Sequence, residues 1–403
     1  MTQTREALQQ RTLGVVMASQ VFSGAGLAAG VTVGALLAEQ MLGASSLSGL
    51  PGALYTAGSA ATALLVGRLS QRLGRRAGLV AGYAAGALGG FGVVVAAAVD
   101  SVVLLMLSLL VYGAGTATNL QARYAGADLA DAGRRGRAVS SVLVATTVGA
   151  IVGPNLVAAT GRVAERFGIP ALAGPFALAG LAYAIAGLIL FALLRPDPLR
   201  VSRTLEPPAT EAVPARRFSG GVIAGAATMI LTQLVMVAVM TMTPVHMRAH
   251  GHDLAATGLV IAAHIAAMYL PSPITGILVD RVGRMPVAVG AGVTLLAAGL
   301  VAAAAPEDSV LLVALALGLL GLGWNLGLVA GTALITDAVP LASRARTQGA
   351  VDLCVALAGA GGGLASGLVM AATSYAALSM LGGVLGLAVI PFVVTRGRRP
   401  VPA

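Results

Sequence analysis

The sequence predicts an all-α membrane protein with twelve transmembrane helices in two pseudo-symmetric six-helix halves. Three observations support this prediction: an apolar composition, twelve long apolar runs and an internal repeat at a constant offset. Of the 403 residues, 57% are hydrophobic and 10% are charged, and the mean hydropathy is +0.90. Soluble domains carry about 25% charged residues, so the composition excludes an ordinary soluble enzyme. The chain is also too apolar to be disordered.

The apolar runs are long enough to cross a bilayer. A hydrocarbon core of ~30 Å requires about 20 apolar residues per helix. The spans predicted in the first half are 12–38, 48–67, 77–98, 102–124, 138–160 and 172–194. Those in the second half are 219–245, 255–279, 285–304, 309–336, 347–370 and 373–395. The polar stretch 195–218, rich in Pro, Arg and Glu, predicts a cytoplasmic linker between halves at 1–194 and 219–403.

The basic residues, all 25 of them Arg, lie in short clusters between the apolar runs. This distribution is typical of anchors that follow the positive-inside rule, so we expect the lipid bilayer and no nucleic acid as a partner. All but Arg162, Arg166 and Arg248 fall on the side of the N-terminus. We therefore expect a multi-pass monomer in the cytoplasmic membrane, with both termini in the cytoplasm.

A nine-residue pattern occurs twice, as GRLSQRLGR at 67–75 and as GILVDRVGR at 276–284. Residues 209 positions apart match in the two copies: Gly67, Leu69, Arg72, Gly74 and Arg75 correspond to Gly276, Leu278, Arg281, Gly283 and Arg284. The same offset relates Asp128, Arg135, Arg137 and Gly153 to Asp337, Arg344, Arg346 and Gly362. One offset shared by unrelated motifs indicates a duplicated six-helix unit, which is a common transporter architecture.

The doubled G-x-L-x-x-R-x-G-R loop resembles the signature loop of the major facilitator superfamily. The resemblance implies a carrier whose halves open a central site alternately to each side, with these loops latching the halves on the cytoplasmic side. The position that is acidic in the family is Gln71 in the first copy and Asp280 in the second. Because Gln71 has no charge, the resemblance implies a weakened first latch.

Asp352, in the eleventh span, is a candidate replacement for the missing charge. We expect it to pair with Arg72 or Arg75 across the two halves. Two alternatives remain open: a local pair with Arg346, whose i to i+6 spacing is poor helical geometry, and a role for Asp352 as a proton carrier.

The fifth span contains Gly149-x-x-x-Gly153-Pro154, which resembles the motif of antiporters in this superfamily. Glycines four residues apart let helices approach closely, and Pro154 bends its helix. Exporters of the family carry an arginine in the fourth span, where this chain has Leu109 four residues before Gly113. The departure argues against a drug–proton antiporter.

Methionines are concentrated in the seventh span, where 229–247 holds five of the chain's thirteen. Met236 and Met240 lie one helical turn apart, and His264 and Met268 repeat this spacing in the eighth span. Thioether sulfur and imidazole nitrogen are ligands that favour Cu(I) over hard ions. A methionine stripe is also a common form of core packing, and a lone histidine can bind a neighbouring helix or carry protons.

M-x-x-x-M followed by H-x-x-x-M, with 28 residues from Met236 to His264, resembles the CcoA-type copper importers, the Cu-associated-like branch of the superfamily. The resemblance implies that Met236, Met240, His264 and Met268 hold copper during uptake. Copper is then the transported substrate, and no cofactor is expected. His246, Met247, His250 and His252 offer a possible outer capture site, or are simply solvated loop residues.

The alternative is a proton-coupled importer or exporter of a small organic solute such as a flavin or a drug. Relatives of the copper branch include a riboflavin transporter, and Gln20, Tyr55, Trp324 and Asn325 could line an organic-solute site. An enzyme is not expected, because the chain has no H-E-x-x-H or G-x-S-x-G motif. Its one cysteine, Cys354, excludes a disulfide framework.

Overall fold

The computed structural model describes residues 2–42, 50–205 and 219–396, and every regular element within these ranges is helical. The elements of the first half are α1 (Thr2–Leu42), α2 (Leu50–Leu73), α3 (Arg75–Ala98), α4 (Val102–Ala127), α5 (Arg135–Asn155), α6 (Val157–Arg166), α7 (Gly174–Leu193) and α8 (Pro198–Leu205). Those of the second half are α9 (Gly220–Ala249), α10 (Leu254–Tyr269), α11 (Ser272–Arg281), α12 (Arg284–Ala304), α13 (Val310–Ala338), α14 (Arg344–Ala372), α15 (Tyr375–Gly386) and α16 (Val389–Arg396).

Ten helical segments of the described ranges are long and apolar enough to cross a membrane. The long helices α1 and α2 precede them, so the all-α, twelve-helix prediction is confirmed. Three predicted spans are each built from two helices rather than one: α5 with α6, α10 with α11, and α15 with α16. The break between α10 and α11 falls at Leu270–Pro271, because proline lacks the N–H that would continue the helical ladder.

The chain divides into two compact units that differ from the two sequence halves in two short segments. The first unit contains Met1–Ala130, Ser141–Pro207 and Pro340–Ala356. The second contains Asp131–Ser140, Pro208–Val339 and Leu357–Ala403. The start of α5 thus belongs to the second unit and the start of α14 to the first. These two helix starts correspond at the 209-residue offset.

Within the first unit, glycines allow helix backbones to touch. A Cβ at Gly149 would meet the Val21 carbonyl of α1, and a Cβ at Gly153 would meet that of Ala25. Gly24 has the same relation to Thr146 of α5. Van der Waals contact between close backbones holds such interfaces together in a bilayer, where burial of apolar surface gives little driving force. The structure does not describe the side chain of Pro154.

The segment predicted as a linker begins as an ordered part of the first unit. Asp197 accepts the Arg76 backbone N–H at 2.8 Å and caps α8 through Leu199 N at 3.1 Å. Leu199 is buried, and Ser202 donates to the Asp128 carbonyl at 2.6 Å. Capping by Asp197 and burial of one apolar face therefore order residues up to 205. The rest of the predicted linker, 206–218, lies outside the described residues.

Candidate functional site

His264 of α10 is fully buried in the second unit. Its Nδ1 lies 2.8 Å from the Leu317 carbonyl oxygen of α13. A carbonyl can only accept, so we assign the ring proton to Nδ1, which leaves a lone pair on Nε2. Nε2 is buried and has no hydrogen-bond partner among the described residues. Metal-binding histidines have this arrangement, with one nitrogen fixed by a carbonyl and the other available as a ligand.

The methionines of the second unit differ in their surroundings. Met229 packs against α13, where a Cβ at Gly331 would meet its side chain. Met236 is buried, whereas Met240 and Met268 are half-buried. Met229 is therefore a packing residue, while Met240 and Met268 keep accessible surface. No group of three or more His, Cys, Asp or Glu that could hold a metal occurs in the described ranges, so a metal bound here would need thioether ligands.

Asn325 of α13 fixes the break between α10 and α11. Its amide nitrogen donates to the Met268 carbonyl at 2.7 Å and to the Ser272 hydroxyl at 2.8 Å. Its oxygen accepts from the Thr275 hydroxyl at 2.7 Å. Both ends of the amide are engaged and the residue is buried, so Asn325 positions Met268. The sequence had suggested that Asn325 could line an organic-solute site, and its burial argues against that role.

An aromatic and amide cluster includes Gln233 of α9, the helix that also carries Met236 and Met240. The Trp324 indole N–H donates to the Gln233 side-chain oxygen at 2.7 Å. The Tyr269 ring meets Trp324 edge to face, with centroids 5.9 Å apart. Trp324 is buried, whereas Gln233 and Tyr269 are half-buried, so the accessible part of the cluster is the Tyr269 ring with the Gln233 amide. Such a combination suits a planar organic molecule.

Gln20 of α1 belongs to the core of the first unit. Its oxygen accepts from the Tyr83 hydroxyl at 2.6 Å, and its nitrogen donates to the Asn119 carbonyl and the Thr146 hydroxyl at 3.0 and 3.1 Å. The residue is fully buried, so the prediction that it lines a solute site is wrong. Gln20 instead joins α1, α3, α4 and α5.

The residues of the possible outer capture site are mostly engaged locally. The His246 ring stacks on Tyr375 with centroids 4.2 Å apart, and His250 Nδ1 lies 2.8 Å from the His246 carbonyl oxygen. His252 Nε2 lies 2.8 Å from the Glu307 carbonyl oxygen. Met247 is fully buried, so its sulfur is not on a surface where it could capture an ion.

Gln71 and Asp280 occupy the same position in the two copies of the duplicated loop, and each contacts the start of another helix. We call the contact of Gln71 the first clasp and that of Asp280 the second clasp. In the first clasp, the Gln71 side-chain oxygen accepts the Ala345 backbone N–H at 2.8 Å, at the start of α14. In the second clasp, Asp280 accepts the Gly136 backbone N–H at 2.8 Å, at the start of α5. Asp280 also accepts the Arg137 side-chain N–H at 3.1 Å.

Each clasp begins beside a glycine with positive φ, 94° at Gly74 and 105° at Gly283. Glycine adopts this conformation without steric cost, so α3 and α12 can start immediately after the turn. Gly67 lies where a Cβ would meet Gly349, and its repeat counterpart Gly276 lies where a Cβ would meet Ser140. The motif glycines therefore permit the close backbone approach that both clasps need. Arg72 and Arg281 are exposed.

Arginine–aspartate pairs accompany both clasps. Arg75 Nε donates to Asp128 at 2.7 Å in the fully buried pair of the first unit, and Arg75 also donates to Gln348 of α14. Arg284 Nε donates to Asp337 at 2.9 Å in the corresponding, partly exposed pair of the second unit. Arg135 also donates to Asp337. The duplicated sequence motif therefore produces a duplicated ion pair.

Asp352 pairs with Arg123 of α4, not with Arg72 or Arg75 as predicted, and not with Arg346. The Arg123 Nη2 to Asp352 Oδ1 distance is 2.7 Å, and the Tyr124 hydroxyl donates to the same oxygen at 3.2 Å. The prediction was wrong because Arg75 is held by Asp128, while the helical rotation of α14 points Asp352 at α4.

A family model described as Major Facilitator Superfamily matches residues 16–268 and 225–403. This chain belongs to the major facilitator superfamily. This superfamily member is 58% identical, over 98% of its length and 94% of the relative's, to the uncharacterized MFS-type transporter YdeG of Bacillus subtilis. It is 32% identical to the riboflavin transporter RfnT of Brucella anthropi, over 80% of this chain and 79% of that one. The expectation of a non-enzymatic transporter is confirmed.

Solved superfamily structures share the fold. The human organic anion transporter MFSD10 aligns with a TM-score of 0.77 at 17% identity, covering 96% of this chain and 99% of that one. The proton:xylose symporter XylE, bound to 6-bromo-6-deoxy-D-glucose, aligns with a TM-score of 0.76 at 17% identity, covering 97% and 96%. Identities this low establish the common architecture alone.

The first clasp of this superfamily member is neutral but complete. Besides accepting from the start of α14, Gln71 donates to the carbonyls of Leu341 and Ala342 at 3.1 and 2.8 Å. A carboxylate has no such donor, so the amide replaces the charge of an acid with two added hydrogen bonds. The sequence-based expectation of a weakened latch overlooked these carbonyls, because they lie 270 residues away along the chain.

Proposed function

We propose that this superfamily transporter imports copper across the cytoplasmic membrane by alternating access, with both termini in the cytoplasm. The observation that carries the proposal is the Nε2 of His264, which is buried and has no hydrogen-bond partner within the part of the chain that the structure describes. Its Nδ1 hydrogen bond to Leu317 holds the neutral tautomer that binds a metal. Met240 and Met268, half-buried in the same unit, supply soft ligands for Cu(I).

Neutral ligands suit transport of the ion. Imidazole and thioether groups bind Cu(I) without a compensating negative charge, so the ion can pass between them and leave. Met236 is buried and Met240 is half-buried one turn later on α9, so their thioethers would be further soft ligands for the ion in this proposal. Because a single monomer contains all four residues, we propose that the transporter works as a monomer.

Cellular copper accumulation in a transporter-deficient strain tests the proposal. We expect Met236→Leu combined with His264→Gln to abolish uptake, because both substitutions remove soft ligands while retaining side-chain volume. Met229→Leu is the matched control, since Met229 lies on the same helix but packs against Gly331. If copper uptake survives in the double variant, or is lost equally in the control, Met236 and His264 do not bind copper during transport.

A second candidate substrate is a planar organic solute such as a flavin. Two observations favour it: the cluster of Gln233, Tyr269 and Trp324, and the 32% identity to a protein named as a riboflavin transporter. This function predicts uptake of radiolabelled riboflavin by a flavin-requiring strain. Trp324→Phe should reduce that uptake while Met236→Leu does not. Copper uptake has the opposite dependence, so the two variants separate the candidates.

A further inference from the structure

A surface groove runs between α3 and α7 of the first unit and has a volume of about 470 Å³. Every residue that lines it is apolar or glycine. The large exposed side chains come equally from the two helices: Leu88 and Phe91 from α3, and Leu188 and Phe191 from α7. Ala87 and Gly187, which also line the groove, are buried and have little or no side chain, and this leaves the space open. The volume falls within the range of about 300–1,000 Å³ that is usual for ligand pockets.

The groove is as long as one leaflet of a bilayer. Its lining on α3 extends from Val80 to Phe91, a distance of about 16 Å at the helical rise of about 1.5 Å per residue. Half of the ~30 Å hydrocarbon core is about 15 Å. Arg76 precedes Val80 by one helical turn, next to the start of α3 at Arg75. The groove therefore matches the length of one acyl chain, with Arg76 at the level of the lipid headgroup.

Two arginines lie at that end of the groove. The guanidinium carbon of Arg76 lies 5.6 Å from the centre of the Phe191 ring, and that of Arg195 lies 5.8 Å from the centre of the same ring. Within the described ranges, neither guanidinium forms an ion pair or donates a side-chain hydrogen bond. The Asp197 carboxylate beside Arg76 is engaged with backbone N–H groups, among them those of Arg76 and Leu199. Positive charge is thus in excess where the apolar groove ends.

The pair of arginines is not part of the duplicated structure. At the 209-residue offset, Arg76 corresponds to Met285 of α12, and Phe191 corresponds to Pro400. The second copy therefore lacks both the charge and the ring. Its lipid-exposed helix surface, with Val293 at the position of Ala84, serves as an internal control for the groove.

We propose that this groove binds one anionic phospholipid. One acyl chain packs against the apolar side chains of α3 and α7, and the phosphodiester accepts hydrogen bonds from Arg76 and Arg195, whose planar guanidinium groups suit phosphate oxygens. A zwitterionic lipid carries a cation beside its phosphate, so it gains less from the two arginines. The groove lies wholly within the first unit and His264 within the second, so the inference does not depend on the identity of the substrate.

Native mass spectrometry of the purified transporter in detergent measures lipid binding directly. The probes are dioleoyl phosphatidylglycerol and dioleoyl phosphatidylcholine, which have the same acyl chains and differ in headgroup charge. We expect one phosphatidylglycerol to bind at least about tenfold more tightly than phosphatidylcholine, because each basic residue near an anionic headgroup contributes about fivefold. Arg76→Gln combined with Arg195→Gln should abolish this preference. Arg162→Gln combined with Arg166→Gln is the matched control, because it removes the same charge from exposed positions of α6 and should leave the preference intact.

The apolar part of the site is tested separately from the arginines. Ala84 lines the groove and is exposed, so Ala84→Trp places a large ring in the space for the acyl chain. We expect it to weaken phosphatidylglycerol binding at least about fivefold, whereas Val293→Trp on α12 should have no effect. Thermal unfolding gives a second measurement. Phosphatidylglycerol should raise the midpoint of the parent protein and of both controls but not that of the arginine double variant, because a ligand of the folded state stabilises that state.

Four results would overturn the proposal. Equal affinity for the two lipids would make the groove part of the ordinary lipid belt, and an equal loss in the α6 control would leave only a general effect of charge. Unchanged binding in Ala84→Trp would show that the arginines bind a headgroup or free phosphate without the groove. A lipid-free dimer in the spectra would assign the groove to a second copy of the chain. If Ala84→Trp does not fold, Ala184→Leu fills the groove from α7 in its place.

Discussion

Gln71 and Asp280 occupy corresponding positions 209 residues apart, and each accepts a backbone N–H at 2.8 Å from the first turn of a helix. One uses an amide oxygen and the other a carboxylate. Both exploit the unsatisfied N–H groups and positive dipole at a helix N-terminus. The duplicated loop therefore retains its contact geometry while its charge differs between the copies.

The neutral first clasp predicts a pH-dependent effect of Gln71→Glu. An ionised glutamate would face the carbonyls of Leu341 and Ala342, to which the amide now donates. We expect a loss of about 1–3 kcal/mol in the free energy of unfolding at neutral pH, because two acceptors lose their donor. Protonation restores one donor, so stability should recover as the pH falls. Unfolding by sodium dodecyl sulfate, followed by circular dichroism, measures this change.

The control for this prediction is Gln71→Met, which removes the same hydrogen bonds without adding a charge. Its stability should be lower than that of the parent protein by a similar amount at every pH. Equal pH profiles for the Glu and Met variants would contradict the proposed repulsion between the carboxylate and the carbonyls.

The two repeated ion pairs predict unequal costs for one substitution. Asp128 is fully buried with Arg75, whereas the side chain of Asp337 is 31% exposed beside Arg284. Asp128→Asn should reduce the free energy of unfolding by about 3 kcal/mol, because it leaves a buried guanidinium without its counter-charge. Asp337→Asn should cost about 1 kcal/mol or less, because water screens that pair. Denaturant titration of both variants checks the order, and equal losses would refute the burial argument.

The contact of α1 with α5 predicts that Gly149→Ala is poorly tolerated. Its Cβ would meet the Val21 carbonyl, and backbone cannot move aside as a side chain can. Overpacking of this kind costs about 1–3 kcal/mol. Gly290→Ala is the control, since a Cβ there meets nothing within 4 Å and alanine is the better helix former. We expect the midpoint of thermal unfolding to fall in the first variant and to hold or rise in the second.

Asn325 predicts a link between the helix break and transport. Asn325→Leu removes the donor from the Met268 carbonyl and the acceptor from the Thr275 hydroxyl. Each buried polar group left without a partner costs about 1–3 kcal/mol. We expect reduced stability together with reduced substrate affinity, because Met268 loses its support. Thr275→Val, which removes only the hydroxyl donor, should lower stability with less effect on the Michaelis constant. A larger effect of Thr275→Val than of Asn325→Leu on the Michaelis constant would show that Asn325 does not support the substrate site.

Composition, apolar run length and the repeated offset determined the membrane class, the number of helices and the duplication, because these depend on local sequence and on bilayer thickness. Helix breaks were harder to predict: Pro271 divides a span, whereas the turn between α15 and α16 contains no proline.

Only the tertiary structure decided which polar groups meet. The sequence placed Asp352 opposite Arg72 or Arg75, but the rotation of α14 turns it towards Arg123, 229 positions away. His264 was recognisable as a buried polar residue, yet its tautomer depends on the Leu317 carbonyl of another helix. Pairings between distant segments follow from helix rotation and packing over the whole chain, and the spacing of residues along one helix does not contain that information.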